Sequence, residues 1–361
     1  MARRQEQERA RAEVTEVAPS VLRMELPIHM PGLGHVNCYA LVDSRGVALV
    51  DPGLPGPITW RALQDRLRQA GLDVRHVHTV VVTHSHPDHF GCAARLAREA
   101  GAEVVAHHSF SFGPVRTEPD AEVSVEDLAA QAEADAAREE EGESKAPPLP
   151  PAPAGRTPWG GERPRPPLRM RMRLRLMRLV GRSFLPKITR PVDHGDVLEL
   201  GGREWFVLHT PGHTQDHFCL HDPDAGILLA GDHVLPTITP HISGFNSTPD
   251  PLKSYFYSLD RVGEIAGVKQ ALPAHGHPFA DLRARTEAIK RHHLERLEKV
   301  KEISRELGPA TVGAISRRLF AARSWGPMAE SETYAHLEHL RHAGEAECHR
   351  EGSGKLVYVA G

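Results

Sequence analysis

The sequence is short of cysteine pairs, aromatic residues and long apolar runs. Its four cysteines are Cys38, Cys92, Cys219 and Cys348. They stand far apart without a CxxC pair, so the sequence indicates neither a disulfide framework nor a thiolate zinc cluster. No run of about 18 apolar residues occurs, and the N-terminal residues lack the apolar segment of a signal peptide. We therefore expect an unexported, cytoplasmic protein without a transmembrane segment.

The chain also has no strong charge imbalance. Its formal net charge of -3 gives it no overall attraction to nucleic acid or to an anionic membrane. Histidine, by contrast, is abundant at 24 residues, and imidazole both titrates near neutral pH and binds borderline metals. Since 361 residues exceed one comfortable hydrophobic core, we expect a main domain and at least one smaller unit.

Short apolar runs separated by Gly and Asp predict an α/β domain over residues 16–280, after a charged segment, 1–15, that we predict to be disordered. In the first half, the predicted strands are 37–42, 47–50, 78–82 and 104–106, and the predicted helices are 58–70 and 88–100. In the second half, the predicted strands 197–200, 205–209, 218–221 and 227–230 precede a helix at 252–266.

The two halves of this domain carry the same pattern. In each, a buried strand ends in an aspartate, Asp51 in GVALVD and Asp232 in GILLAGD, and the next strand ends in a His-x-His pair. A sandwich of two related αβ halves would bring these polar groups together at one rim of its sheets. The pattern therefore predicts a single site built from both halves.

An insertion of unusual composition, about 112–190, separates the halves. Residues 118–143 carry 11 acidic residues and one Arg, residues 147–167 hold nine prolines, and residues 163–182 carry eight arginines and no acid. One interpretation is a basic lid that meets an anionic substrate. We favour the other, in which the acidic and basic segments neutralise each other, because they are the nearest partners in sequence.

The residues from 281 to 361 are predicted to form a winged-helix-like C-terminal domain. Helices near 282–307, 311–320 and 331–343 precede a Gly-rich hairpin. Such a unit can bind nucleic acid, but here 14 Lys and Arg face 12 Asp and Glu, which is less basic than a phosphate-binding surface requires. A docking unit, or a dimerisation unit that makes the protein a homo-oligomer, is the favoured interpretation.

The run THSHPDH, residues 83–89, is the densest cluster of metal-ligand residues in the chain. His84 and His86 are two apart at a strand end, so both rings point to the same side, and Asp88 and His89 follow in the first helical turn. Burying so many polar groups without a metal would leave donors and acceptors unpaired. The pattern HxHxDH therefore predicts a metal site.

This run resembles the second motif of the metallo-β-lactamase superfamily, and the other motifs occur in the family's order over about residues 20–280. The matching residues are Asp51 in LVDPG, His213 in TPGHT, Asp232 in AGDH and His275 in PAHGH. The resemblance implies a four-layer αββα sandwich that binds two divalent metal ions. It further implies that His84, His86 and His213 hold one metal, that Asp88, His89 and His275 hold the other, and that Asp232 bridges them.

The chemistry of these ligands agrees with zinc, while the carboxylates would also admit iron or manganese. A hydroxide held between two cations forms near neutral pH and attacks a carbonyl or phosphorus centre. We predict Asp88 and Asp232 as the catalytic carboxylates, and Asp51 as a residue that orients a ligand through a hydrogen bond. His277, His217 and Asn37 are further candidates near the site, with packing or loop positions as the alternative.

A histidine in the fifth motif, with no cysteine in a ligand position, resembles the glyoxalase II branch, and an appended winged helix resembles the lactamase-beta-2-like proteins. Our leading hypothesis is a dinuclear metallohydrolase acting on a small ester or thioester, with glutathione- or CoA-linked compounds as candidate substrates. A metal-dependent endoribonuclease acting on phosphodiesters is the second hypothesis. A winged-helix DNA-binding regulator, of a different functional class, is the third.

Overall fold

The computed structural model describes residues 4–30, 32–112, 146, 149, 152, 155–163, 172, 184–245 and 248–361. The acidic segment of the insertion lies outside the described residues, and its proline-rich and arginine-rich segments lie largely outside them. The chain divides into two compact units. The first comprises Met1–Ser111 and Pro164–Arg296, and the second comprises Phe112–Arg163 and Leu297–Gly361.

The first unit contains a seven-stranded sheet whose strands follow one another in chain order. They are β1 (Val14–Ala18), β2 (Val21–Met30), β3 (Leu33–Asp43), β4 (Gly46–Val50), β5 (Val77–Val81), β6 (Glu103–His107) and β7 (Arg190–Val192). Pairing is antiparallel from β1 to β4 and parallel from β4 to β7. The carboxyl ends of four strands, β4 to β7, therefore lie at one edge of the sheet.

The second sheet of this unit has five strands in the order β12-β11-β10-β9-β8. They are β8 (Val197–Leu200), β9 (Arg203–His209), β10 (Phe218–Asp222), β11 (Ile227–Gly231) and β12 (Gln270–Pro273). Only β11 and β12 among these strands pair in parallel, so their carboxyl ends share an edge as well. The strands predicted for the second half are confirmed to within one or two residues at their ends.

Successive side chains along the strands of the first sheet pack on opposite faces, and this arrangement produces the layers of the fold. Along β3, Cys38 and Ala40 pack into a cluster that includes helix side chains, while Tyr39 and Leu41 pack into a cluster shared with the second sheet. Successive strand residues face opposite sides, so apolar side chains at every position bury both faces of the sheet. One face thus meets the helices and the other meets the second sheet, as a sandwich requires.

Helices cover the outer faces. They are α1 (Pro57–Gln69), α2 (Pro87–Phe90) and α3 (Ala93–Ala100) in the first half, and α4 (Pro251–Gly263) in the second. The prediction of a single helix over 88–100 is wrong, because the helix is interrupted between α2 and α3. There the Cys92 N–H donates to the Gly53 carbonyl, 3.2 Å away, and a Cβ at Gly91 would overlap Pro55.

The N-terminal segment is anchored rather than disordered. Gln5–Gln7 form a 3-10 turn, and the buried carboxylate of Glu6 accepts hydrogen bonds from the backbone N–H groups of Thr237 and Ile238 and from the Thr237 hydroxyl. The prediction of disorder over 1–15 is therefore wrong for residues 4–15. One of the charges that suggested exposure, that of Glu6, is buried and is satisfied by three hydrogen-bond donors.

Helix α5 (Leu282–Leu307) begins in the first unit and ends in the second. The second unit adds α6 (Val312–Leu319), α7 (Pro327–His342) and a three-stranded sheet in the order β13-β15-β14, with β13 (Ala310–Thr311), β14 (Ala346–Arg350) and β15 (Leu356–Ala360). Glu338 of α7 accepts hydrogen bonds from Arg341 and from the Tyr358 hydroxyl in its buried interior. The winged-helix interpretation of this unit stays a prediction.

No helix among the described residues has both the length and the apolar character needed to cross a membrane.

Candidate metal centre

Polar residues follow four strands where those strands end. Asp51 follows β4 and His84 comes three residues after β5, while Asp232 follows β11 and His275 comes two residues after β12. Asp51 has a φ of 54°, a left-handed conformation that lets the chain turn directly after the strand. The pattern predicted for the two halves is thus present at the carboxyl ends of parallel strand pairs in both sheets.

The first group of ligand atoms comes from both halves of the unit. His86 Nδ1 lies 3.0 Å from His84 Nε2 and 3.1 Å from His213 Nε2. With a carboxylate oxygen of Asp232, these nitrogens all lie within 4.8 Å of one another. Zinc–nitrogen bonds of about 2.0–2.1 Å separate neighbouring ligands of a tetrahedral zinc by about 3.3 Å, so the three nitrogens have the spacing that a cation requires.

The second group consists of Asp88, His89 and His275, whose ligand atoms also lie within 4.8 Å of one another. Asp88 Oδ2 is 3.7 Å from His89 Nε2 and 3.5 Å from His275 Nε2. Asp88 and His89 lie in the short helix α2, directly after the loop that carries His84 and His86. The THSHPDH run therefore contributes to both groups.

Asp232 lies between the two groups. Its Oδ2 is 3.9 Å from His84 Nε2 and 3.6 Å from His213 Nε2, in the first group. The same carboxylate reaches the second group, with Oδ2 3.6 Å from His89 Nε2 and Oδ1 3.3 Å from His275 Nε2. Among the carboxylates of the two clusters in the described residues, only Asp232 lies within 3.9 Å of histidines from both.

Four of the five histidines are held by a contact on the ring nitrogen that points away from the centre. These contacts join His84 Nδ1 to Thr83 Oγ1 at 3.0 Å, His89 Nδ1 to Asp51 Oδ2 at 2.8 Å, His213 Nδ1 to the His241 carbonyl at 2.7 Å and His275 Nδ1 to the His35 carbonyl at 2.7 Å. Each contact fixes the ring and leaves Nε2 facing the centre. Histidines that bind metals are supported in this way.

Buried polar atoms without partners test whether the residues fit a cation. His89 Nε2, His275 Nε2 and Asp232 Oδ1 are buried and make no hydrogen bond to any described residue. Leaving such atoms unpaired in the interior costs free energy, and a cation bound among them would satisfy all three. Two nitrogens, one carboxylate oxygen and their neighbours match the donors that zinc prefers, so the residues fit.

The electrostatics of the centre separate neutral from charged groups. Burial and the neighbouring rings of His89 and His86 lower the pKa of His84 well below its usual value. Burial acts the same way on His89, but the carboxylates of Asp232, Asp51 and Asp88 outweigh it and raise the pKa of His89 well above the usual range. The three carboxylates thus favour positive charge at this side of the centre, as a cation-binding position requires.

Two of the further candidates contact members of these groups. Asp51 Oδ2 also accepts a hydrogen bond from the hydroxyl of Thr83, and Asp51 Oδ1 accepts one from the Thr83 N–H. His217 Nε2 accepts a hydrogen bond from the Asp232 N–H at 3.1 Å, and its Nδ1 lies 2.8 Å from Thr210 Oγ1. Both residues position metal-ligand candidates and point no free ligand atom at the centre.

The His217 ring also leaves no space for a side chain at Gly231, the residue before Asp232. A Cβ there would lie 2.5 Å from His217 Nε2, and its φ is 51°, so this position of AGDH requires glycine.

The other two candidates lie in the surroundings of His275. The Asn37 amide donates hydrogen bonds to the carbonyls of Pro273 and Gly276, at 2.8 and 2.9 Å, and so shapes the loop between them. His277 is not in either group: its ring contacts Glu8, Arg11 and Arg23 at 3.1 to 3.3 Å. A proton-donating role for His277 stays a prediction.

Sequence reasoning missed several residues that build this centre. His35 links the N-terminal segment to the His275 loop, because its Nδ1 bonds the Glu8 carbonyl and its Nε2 accepts from the Gly276 N–H. Asp216 is buried beside the THSHPDH loop and accepts a hydrogen bond from the Ser85 hydroxyl at 3.0 Å. Burial raises the pKa of Asp216 to about 6, against the opposing hydrogen bonds. These contacts join distant segments, and no local pattern signals them.

The comparison with family models decides the family. The model of the metallo-beta-lactamase superfamily matches residues 31–303, about three quarters of the chain. The chain belongs to this superfamily. A solved metallo-beta-lactamase family protein from Thermus thermophilus is similar over 96% of this chain and 100% of its own, with 29% sequence identity and a TM-score of 0.70. The αββα sandwich predicted from the motifs is therefore confirmed for this member of the metallo-β-lactamase superfamily.

Two curated relatives with assigned substrates match over a shorter region. A hydroxyacylglutathione hydrolase from Maricaulis maris is 32% identical over 102 residues, which are 28% of this chain and 38% of that protein. An acyl-coenzyme A thioesterase from Gallus gallus is 33% identical over 94 residues, which are 25% of this chain and 32% of that protein. The match thus spans less than two fifths of the length of either relative. The activities in their names are therefore stated of those proteins alone.

Proposed function

We propose that this superfamily member is a dinuclear metal-dependent hydrolase of a small ester or thioester. The observation that carries the proposal is the position of Asp232, which lies within 3.9 Å of histidines from both ligand groups. A carboxylate that faces two adjacent ligand sets is placed to bridge two cations. The centre brings together five histidines and the carboxylates of Asp51, Asp88 and Asp232. Burying so many polar groups would cost too much free energy for a purely structural role.

We assign the two metal positions as the geometry groups the residues. One position would be held by His84, His86 and His213, the other by Asp88, His89 and His275, and Asp232 would be shared between them. Zinc suits this mixture of nitrogen and carboxylate donors, with iron or manganese as the alternative because the second position contains more oxygen.

Two cations in these positions would supply a water molecule of lowered pKa and polarise the substrate carbonyl. The protein's own residues have separate tasks. Asp88 presents Oδ2 to the second position and is placed to accept a proton from the attacking water, and Asp51 and His217 hold their partners in orientation. His35 fixes the loop that carries His275.

The substrate class is argued from chemistry and from the relatives. The names of two relatives describe hydrolysis of acyl groups carried on glutathione and on coenzyme A. A thioester linked to one of these carriers is therefore the substrate class that we propose. An RNA substrate is less favoured, because the described helix α7 of the second unit carries a mixture of acidic and basic residues rather than a basic surface.

The experiment is a screen of the purified full-length protein, with zinc, manganese or iron added, against glutathione and CoA thioesters, lactones, simple phosphodiesters and RNA. The proposal expects thioester cleavage that is lost in His84→Ala and His86→Ala. A matched control is His78→Ala, which replaces a half-buried histidine of β5 outside both groups. Cleavage of RNA without cleavage of any thioester would overturn the proposed substrate class and support the endoribonuclease hypothesis.

A further inference from the structure

A third group of metal-ligand side chains lies at the same edge of the first sheet. His107 is the last residue of β6, His108 follows it, and Asp193 comes directly after β7. The parallel pairing of β6 with β7 brings these residues together at their carboxyl ends. They share no residue with the two groups of the dinuclear centre.

The spacing of this third group suits a cation. Asp193 Oδ1 lies 3.3 Å from His107 Nε2, and Asp193 Oδ2 lies 3.2 Å from His108 Nδ1. All three ligand atoms lie within 4.8 Å of one another. Neighbouring ligands of a tetrahedral zinc, with bonds of about 2.0–2.2 Å, are about 3.3 Å apart, so these atoms are already close to the required separations.

His107 is oriented for this task by its surroundings. Its Nδ1 lies 2.7 Å from Ser109 Oγ and accepts a hydrogen bond from the Ser109 N–H at 3.3 Å, so Ser109 holds the ring with Nε2 towards Asp193. The ring stacks on His209, with centroids 4.0 Å apart and an interplanar angle of 14°. Burial, with the neighbouring His209 and His108 rings, lowers the pKa of His107 to about 4, so the ring is neutral at pH 7. A neutral imidazole offers a ring nitrogen to a metal, and the contacts with Ser109 and His209 hold this ring in place.

The remaining two ligands are open to solvent. The side chains of His108 and Asp193 are 57% and 60% exposed. A cation bound here would therefore keep solvent-facing positions, and either ligand can be replaced without opening a cavity in the core.

The position of this group along the chain indicates what a bound metal would do. His107 and Asp193 are 86 residues apart, and the insertion of about 112–190 lies between them. Ordering the two ends of such a long connection costs chain entropy, and a metal that bonds both ends offsets part of that cost. The cluster is thus located where one ion would fix both ends of the insertion to adjacent strands.

We propose that His107, His108 and Asp193 form a third metal site, separate from the dinuclear centre, that takes a divalent cation of the zinc class and joins the ends of β6 and β7.

The test is the number of zinc ions bound per chain by the full-length protein in buffered Zn²⁺, measured by elemental analysis. We expect Asp193→Ala and His108→Ala each to bind one zinc ion fewer than the unaltered protein. His194→Ala is the matched control, because His194 is an exposed histidine next to Asp193 and outside the group. It should bind the same number as the unaltered protein. Because the result is a difference between variants, it does not depend on the proposed occupancy of the dinuclear centre.

A second readout locates the ion. Histidine modification with diethylpyrocarbonate, followed by peptide mass spectrometry, should show that Zn²⁺ protects the peptide containing His107 and His108 in the unaltered protein. The protection should be lost in Asp193→Ala and retained in His194→Ala. Equal zinc content in all four proteins would overturn the proposal, as would a loss of one ion in His194→Ala or protection that persists without Asp193.

Discussion

Asp51 Oδ2 lies 2.8 Å from His89 Nδ1, and the same carboxylate accepts hydrogen bonds from the N–H and hydroxyl of Thr83. Thr83 Oγ1 in turn contacts His84 Nδ1 at 3.0 Å. One carboxylate at the end of β4 therefore supports a histidine from each of the two ligand groups, directly in one case and through a hydroxyl in the other. The proposed centre depends on a residue that binds neither metal.

We predict that Asp51→Asn weakens zinc affinity or hydrolysis by about 10- to 100-fold, the usual effect of losing a support of this kind. Asparagine retains the left-handed conformation that Asp51 adopts, so the backbone turn is preserved and the effect reports the lost charge. Zinc affinity by competition with a chelating dye, together with kcat/KM on the identified substrate, measures it.

The control for that variant is Asp65→Asn, which changes a surface carboxylate of α1 that is 43% exposed. It should leave zinc affinity unchanged. Zinc affinity and kcat/KM that are as high in Asp51→Asn as in Asp65→Asn would contradict the supporting role.

A second prediction concerns His217, which is fully buried and accepts the Asp232 N–H. His217→Ala leaves this N–H without its acceptor, so we expect the free energy of unfolding to fall by about 1–3 kcal/mol from this effect alone. Zinc affinity should fall too, because the backbone of the shared carboxylate loses a fixed contact. Denaturant unfolding of metal-free protein and zinc titration measure the two effects.

His217→Gln is the informative companion, since its side-chain carbonyl can replace Nε2 as the acceptor. We expect it to recover part of the zinc affinity that the alanine variant loses. If the alanine and glutamine variants show the same zinc affinity as the unaltered protein, the contact to Asp232 has no positioning role.

The N-terminal segment provides a third prediction. Glu6→Ala removes the buried acceptor of three hydrogen bonds to Thr237 and Ile238, so the free energy of unfolding should fall by at least about 1–3 kcal/mol. Glu13→Ala, at an exposed position of the same segment, should change it by less than about 0.5 kcal/mol. Chemical denaturation followed by circular dichroism compares them, and equal stability of the two variants would show that Glu6 anchors nothing.

The residues of this centre that could be predicted are those that lie in short sequence motifs occurring in a fixed order along the chain. The strand-end pattern predicted that THSHPDH, Asp232 and His275 converge at one rim, and the family resemblance added His213 and the division into two groups. The supporting contacts were harder to predict. His35 reaches the His275 loop across 240 residues of chain, and nothing in the local sequence around His35 indicates that partner.

Two errors have physical causes of the same kind. The helix predicted over 88–100 has a helical apolar pattern, but α2 ends at Phe90 and the Cys92 N–H donates to the Gly53 carbonyl instead of continuing the helix. The N-terminal charges were interpreted as solvated, yet Glu6 finds donors far along the chain. In both cases a tertiary contact overrides a correct local preference.

The most direct test of the central claim is hydrolysis before and after removal of metal. The purified protein should lose thioester hydrolysis when a chelator strips its metals, and it should regain activity when Zn²⁺, Mn²⁺ or Fe²⁺ is restored. His84→Ala should remain inactive after the same restoration. Full activity of the metal-free protein would contradict the account.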